Sequence, residues 1–258
     1  MDNTKHEYHP EEYWSKVGER IESRAEENNV IAGDDEPFYR YKRKQFLNLL
    51  FGINFSGKTV LEIGCGPGGN LSEIIKLKPK KLVGCDISSQ MVKLAKSKLP
   101  GSVEIIKING TELPFNEKEF EIVFTATVLQ HNTDEQMLIK IIKEICRVSS
   151  HKVFLFERIE SQIKGDELCL GRPKEYYAEL MNQFGFSLTS HKFINIRMSY
   201  YVSGAIRKAL NPKTRLEGEP LTALSVFLQK LTLPITKYLD KIITSNKDVA
   251  RLEFTRQI

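Results

Sequence analysis

The run Val60-Leu61-Glu62-Ile63-Gly64-Cys65-Gly66-Pro67-Gly68-Gly69 is the part of this chain best suited to holding a reactive small molecule. An apolar segment enters a turn where glycines let the backbone come close to a ligand, and the following helix offers its first N–H groups. Asp86 closes a second apolar segment 24 residues after Glu62, where a carboxylate can accept from both hydroxyls of a ribose. Gly64, Gly66 and Gly69 also satisfy the G-x-G-x-x-G spacing, so the turn alone leaves an NAD-dependent oxidoreductase open. Glu62 tilts the choice: a carboxylate beside the turn suits an ammonium and a sulfonium better than a pyrophosphate. Asn109 to Phe115 offers polar groups for an adenine edge beside apolar ones for its face.

These groups need a scaffold, and from Lys58 short apolar strands alternate with amphipathic helices. Strands are expected over 59–63, 81–86, 103–108, 120–126 and 152–157, with helices after the first, second and fourth. A further helix over 172–184 precedes two final strands within 186–201. Such alternation implies a Rossmann-like, mainly parallel seven-stranded α/β sheet with helices on both faces, its crossovers right-handed. Before it, Tyr13, Trp14, Val17 and Ile21 share a helical face, Asn28 to Asp35 reads as a break, and helical spacing resumes from Phe38 to Phe51. After it, Leu224, Phe227, Leu231, Ile235, Tyr238 and Ile242 belong to a helical stripe that Pro234 is expected to kink or split. The expected organisation is a helical lead-in over 1–57, a cofactor-binding domain over 58–203 and a basic amphipathic helical extension over 204–258.

The succession V-L-E-I-G-C-G-P-G-G-N, G-C-D-I-S, N-G-T-E-L-P-F and F-E-I-V-F-T-A-T-V-L-Q-H resembles the ordered motifs of the class I methyltransferases. It is closest to the group that methylates quinones, sugars and natural products, and it covers roughly residues 58–200. The resemblance implies S-adenosylmethionine as cofactor. Glu62, Gly64, Cys65, Gly66 and Gly68 would meet its methionine portion, Asp86 the ribose, and Ile87 and Met91 the adenine face. Asn109, Gly110 and Thr111 would sit at the adenine edge, and Thr125, Ala126 and Thr127 would offer backbone to the methionine end. Asn109 stands where many relatives carry Asp, and Glu121 where Asp is common.

A sulfonium is already a strong electrophile, so alignment of donor and acceptor supplies much of the rate. An alcohol acceptor also wants a base, and His131, just past the fourth strand, is the candidate; the competing reading is a histidine that bonds backbone. Tyr13, Trp14, Tyr39 and Arg40 are candidates for a cap over the site, with plain helix packing as the alternative. Arg40, Lys42, Arg43 and Lys44 form either an anion-holding cluster or a solvated face.

Composition bounds the rest. The chain has 258 residues, 41% hydrophobic and 28% charged, as an ordinary globular protein does. No apolar run is long enough to span a bilayer, and the acidic start does not read as a signal peptide, so a cytoplasmic protein is expected. Four scattered cysteines without a C-x-x-C pair point to free thiols and no metal site. Residues 1–36 hold eleven Asp/Glu against four Lys/Arg, whereas residues 205–258 hold ten Lys/Arg against five Asp/Glu. That basic tail reads as a solvated face, with peripheral contact to an anionic membrane as the alternative. Nucleic acid is not an expected partner, because no recognised basic aromatic module is present. The leading expectation is O-methylation of a small-molecule or glycan-like acceptor, with a lipid-linked variant. The alternatives are N-methylation of a small amine and a non-catalytic, cofactor-binding partner protein.

Overall fold

The computed structural model describes residues 9–23, 36–215 and 219–257. The expected break at Asn28 to Asp35 lies outside them. The chain is ordered α1 (Pro10–Ser23), α2 (Pro37–Leu50), β1 (Thr59–Ile63), α3 (Leu71–Ile74), β2 (Lys81–Asp86), α4 (Ser89–Lys98), β3 (Val103–Lys107) and β4 (Phe120–Ala126). Then follow α5 (Glu135–Val148), β5 (Ser149–Ile159), α6 (Lys174–Gln183), β6 (Phe186–Phe193), α7 (Arg197–Leu210), α8 (Ala223–Ile242) and β7 (Asp248–Arg256). A two-residue hairpin, Lys164–Gly165 with Leu170–Gly171, lies between β5 and α6.

The strands form one seven-stranded sheet in the order β3-β2-β1-β4-β5-β7-β6. β1 to β5 are parallel, and β7 runs antiparallel between β5 and β6. Alternate residues separate two cores, because successive strand side chains point to opposite faces. Val60, Leu82, Ile122 and Phe154 pack beneath α2 and α4, whereas Leu61, Val83, Val123 and Val153 pack beneath α5 and α6. The central strands read as continuous apolar runs for that reason.

Local chemistry sets the helix starts. Ser88 Oγ accepts from Met91 N at 3.1 Å to begin α4, and Asp134 Oδ1 accepts from Met137 N at 3.0 Å to begin α5. The inner face of α5, through Leu138, Ile141, Ile142 and Ile145, is buried at helical spacing.

The C-terminal third departs from the sequence expectation. Only one strand, β6, forms within 186–201, and Arg197 begins a helix. The sheet therefore does not end at residue 203: its last strand is Asp248–Arg256, where Val249, Ala250, Leu252 and Phe254 are buried. α7 and α8 are an insertion between β6 and β7. Nor does Pro234 split α8, which is continuous from Ala223 to Ile242. Pro234 lies on the exposed side, where water can satisfy the carbonyl that loses its N–H partner.

Candidate active site

A cavity of ≈ 340 Å³ opens at the C-terminal ends of β1, β2 and β4. Parallel α/β sheets bind ligands at that edge, at the point where strand order reverses. Its floor is the turn after β1. Gly64 has φ +70° and Gly66 φ +51°, a left-handed backbone that disfavours side chains. A Cβ on Gly64 would sit 2.3 Å from Val128 Cγ2, so this glycine lets the turns after β1 and β4 meet. Gly66 differs: it lines the cavity, and a Cβ there would meet nothing within 4 Å. A side chain at 66 would occupy ligand space.

Glu62 lies at 1% exposure in the cavity wall. Its Oε1 accepts from Asn70 Nδ2 at 2.6 Å, while Oε2 is buried without a partner. Burial pushes its carboxyl up to about 8, against the lowering effects of the Asn70 hydrogen bond and the Arg43 charge. Arg43, from α2, donates to Asn70 Oδ1 and, at 2.9 Å, to the Gly69 carbonyl. That contact turns the Asn70 amide so that its NH₂ faces Glu62 and leaves Oε2 for a cation. The chain Arg43–Asn70–Glu62 thus links α2 to the glycine turn.

Asp86 is also buried in the wall. Its Oδ2 accepts from Gly66 N and its Oδ1 from Ser88 N, both at 2.8 Å. Each oxygen keeps a second lone pair, enough for two hydroxyls of one sugar. Desolvation raises its pKa, opposed by the hydrogen bonds from Ser88 and Gly66.

Cys65, Ile87, Met91, Gly110, Thr111, Ala126 and Thr127 line the same cavity, joined by Ile108. Other expected residues lie off its wall. Asn109 is exposed, and Gly68 is buried against Leu99. Thr125 is fully buried, its Oγ1 donating to Glu157 Oε1 at 2.7 Å on the far side of the strand. A residue in a central strand alternates faces, and Thr125 falls on the inner one.

His131 lies in the wall on the turn after β4. Its Nδ1 is 2.7 Å from the Leu168 carbonyl, so Nδ1 carries the proton and Nε2 is the basic nitrogen. Nε2 accepts from Gln130 Nε2 at 3.2 Å. Two buried residues absent from the sequence reading hold this turn. Glu157 accepts from Val128 N at 3.2 Å and Gln130 N at 3.1 Å, and its pKa is raised by desolvation. Arg172 donates to the carbonyls of Leu129 at 3.2 Å and Asn132 at 2.8 Å, and pairs with Glu135 at 3.0 Å. Glu157 had a readable signal, a carboxylate after the apolar run Val153 to Phe156. Arg172 had none.

The N-terminal helices reach the cavity at some of the candidate cap residues and not at others. α1 packs Val17 and Ile21 on Met91 and Leu94 of α4, which brings Trp14 to the cavity. Trp14 meets His131 edge-on, 5.0 Å between ring centroids. Tyr39 also lines the cavity, and its hydroxyl accepts from Arg207 Nη1 at 2.9 Å. Tyr13 stacks edge-on against Trp14 and does not line the cavity; Arg40 is exposed and does not either. Of the same basic cluster, Lys42 and Arg43, two and three residues further along α2, do line it. Among the described residues no group of three or more His, Cys, Asp or Glu side chains could hold a metal ion.

The antiparallel β7 inserted beside β6 sets this sheet apart from the 3-2-1-4-5-6 order of dinucleotide-binding domains. Residues 60–152, which carry the glycine turn, Asp86 and His131, match the family model described as a methyltransferase domain. Residues 60–152 are thus similar to a methyltransferase domain. This chain is 35% identical over 74 residues to the phthiotriol/phenolphthiotriol dimycocerosates methyltransferase of Mycobacterium leprae, covering 28% of this chain and 27% of that one. It is 29% identical over 92 residues to a probable tRNA methyltransferase 9B of Bos taurus, covering 36% and 19%. The chain thus spans about a quarter of the length of the curated relatives it matches. Among solved structures, the [4+2]-cyclase SpnF superposes with a TM-score of 0.67 at 15% identity, covering 96% of each chain. Magnesium protoporphyrin IX methyltransferase (ChlM) from Synechocystis PCC 6803 with bound SAH gives 0.59 at 13%, covering 96% and 98%. At such identities the likeness concerns the fold.

Proposed function

We propose that this protein is an S-adenosylmethionine-dependent methyltransferase acting on a hydroxyl of a small-molecule or glycan-like acceptor that is lipid-linked. The observation that carries the reading is the unpartnered Glu62 Oε2, buried in the wall beside the bare Gly66 backbone and within one cavity with Asp86. An ammonium, a close-lying chain and a ribose diol are the groups those three features fit. Glu62 would hold the amino group of the methionine end and Asp86 the ribose hydroxyls. Ile87, Met91 and Ile108 would flank the adenine, with Gly110 and Thr111 at its edge. When bound, S-adenosylmethionine supplies a methyl group on a sulfonium that leaves as a neutral thioether. The named relative from Mycobacterium leprae acts on a lipid by its name, which supports the lipid-linked variant. SpnF is a cyclase on this fold, so the fold alone does not carry the activity.

His131 is assigned as the base. Its Nδ1–H is anchored on the Leu168 carbonyl, which aims Nε2 inward once the 3.2 Å contact with Gln130 gives way to an acceptor hydroxyl. Nε2 would take the proton of an acceptor hydroxyl held beside it, leaving that oxygen free to accept the methyl group. Trp14 packs on the imidazole and helps to exclude water.

The test is incubation of extracts with labelled S-adenosylmethionine, followed by mass spectrometry of the product. A labelled methyl ether supports the reading, and a labelled amine would replace it with the N-methyl alternative. His131→Ala is expected to lower kcat by about 10²–10⁴ while S-adenosylhomocysteine affinity stays unchanged. Rates close to wild type in that variant would remove His131 from the chemistry.

A further inference from the structure

α8 is amphipathic in reverse. Its buried residues are Ser225, Gln229, Leu233, Thr236 and Asp240, four of them polar. Its exposed side carries Leu224, Phe227, Leu231, Ile235, Tyr238 and Ile242, at 55–66% exposure. These six recur at intervals of three and four, so they form one stripe about 27 Å long at 1.5 Å per residue.

The inner face is polar because it caps other helices. Asp240 Oδ1 accepts from Met198 N at 2.6 Å and Ser199 N at 3.3 Å, the first free amides of α7, and Oδ2 accepts from Ser199 Oγ. Gln229 Oε1 accepts from Phe38 N at 3.3 Å, a first-turn amide of α2. The orientation of α8 is therefore fixed by hydrogen bonds to two helices, and turning the stripe inward would leave those amides and Asp240 without partners. An apolar stripe held outward in this way calls for an apolar occupant.

Charge identifies it. On α7 and α8 the basic residues are Arg197, Arg207, Lys208, Lys230, Lys237 and Lys241, and the single acid is the buried Asp240. Lys230 and Lys241 are exposed and flank the stripe along one side. A second copy apposed through this face would bring lysines against lysines. Anionic headgroups above an acyl layer complement both the stripe and its flank. No helix among the described residues is long and apolar enough to cross a membrane, so contact would be from one side.

We propose that the α8 stripe docks this protein on an anionic membrane surface. Phe227, Leu231, Ile235 and Tyr238 enter the headgroup–acyl boundary, and Lys230 and Lys241 meet phosphates. α8 packs on α2, whose other residues Tyr39, Lys42 and Arg43 line the active-site cavity. Docking would thereby set the methyltransferase domain beside a lipid-linked acceptor, and in that respect it deepens the reading above.

The test uses the full chain with vesicles of phosphatidylcholine alone or with about one-third phosphatidylglycerol, read by flotation. Wild type is expected to float with the anionic vesicles at low salt and to lose affinity as salt rises. The double variant Phe227→Glu/Ile235→Glu should bind at least tenfold more weakly. Lys230→Glu/Lys241→Glu should lose about fivefold per lysine on anionic vesicles, with a reduced salt dependence. The first variant changes only outward side chains, so S-adenosylhomocysteine binding should match wild type, which keeps this result separate from failure of the cofactor site. Wild type left unbound by anionic vesicles at low salt would overturn the proposal. So would undiminished binding by the Phe227→Glu/Ile235→Glu variant, or a vesicle-independent dimer that this variant dissolves.

Discussion

Asp86→Asn is expected to weaken S-adenosylhomocysteine binding by a hundredfold or more. In the free protein, both Asp86 oxygens already accept a backbone N–H, one from Gly66 and one from Ser88, at 2.8 Å. An asparagine has one acceptor oxygen, so its NH₂ would face one of those donors and disturb the turn. It would also deprive the ribose diol of a charged acceptor. Hydrogen bonds to charged groups are worth about 1.5–3 kcal/mol each, and two give about 3–6 kcal/mol. Calorimetry reads the loss directly, with circular dichroism as the check on folding. An affinity near that of wild type would remove the ribose role from Asp86.

The second large effect concerns Glu62 and has a definite pH signature. Its carboxyl is pushed up to about 8 by burial, so the free protein holds it protonated at neutral pH. An ammonium seated at Oε2 favours the ionised form, so binding must release a proton below pH 8. Affinity for S-adenosylhomocysteine should then rise about tenfold per pH unit as pH approaches 8, and level off above it. Glu62→Gln keeps an oxygen for Asn70 but cannot ionise. Its affinity should not follow this rise, and at pH 8 it should be lower by about 3–5 kcal/mol, as for a buried ion pair stripped of one partner.

The same carboxyl affects stability in the opposite sense. Its folded pKa is raised above the usual 4.5, so the folded state holds a proton that the unfolded chain sheds. From about pH 4.5 to 8 this costs stability, at about 1.4 kcal/mol per pH unit, and the cost is constant above that window. Glu62→Gln should therefore raise the thermal midpoint of the ligand-free protein at pH 8 while weakening its binding. Urea or thermal unfolding across that window would reveal a wild-type midpoint falling toward pH 8 and a variant midpoint that does not.

How far the sequence announced this arrangement depends on the kind of signal. β1 to β5 were legible because buried parallel strands read as apolar runs, and the Gly64–Gly66 turn and Asp86 stand at their ends. β7 was not. Asp248–Arg256 alternates buried and half-buried residues over a short span, and the longer apolar pattern of α8 just before it suggested that the whole tail was helical. α8 itself was visible as a stripe, but the direction it faces follows from Asp240 and Gln229 capping helices elsewhere in the chain, 41 or 42 residues away for Asp240 and 191 for Gln229. Long-range partners of that kind leave no local pattern. The supports of the His131 turn are similar: Arg172 reaches back 43 residues to the Leu129 carbonyl.

The measurement that bears most directly on the site is calorimetric titration of the protein with S-adenosylhomocysteine and, side by side, with NAD. A pocket built from Glu62, Gly66 and Asp86 should bind S-adenosylhomocysteine at one site per chain with proton release near pH 7, and give no heat with NAD. Saturable binding of NAD together with none of S-adenosylhomocysteine would contradict that assignment.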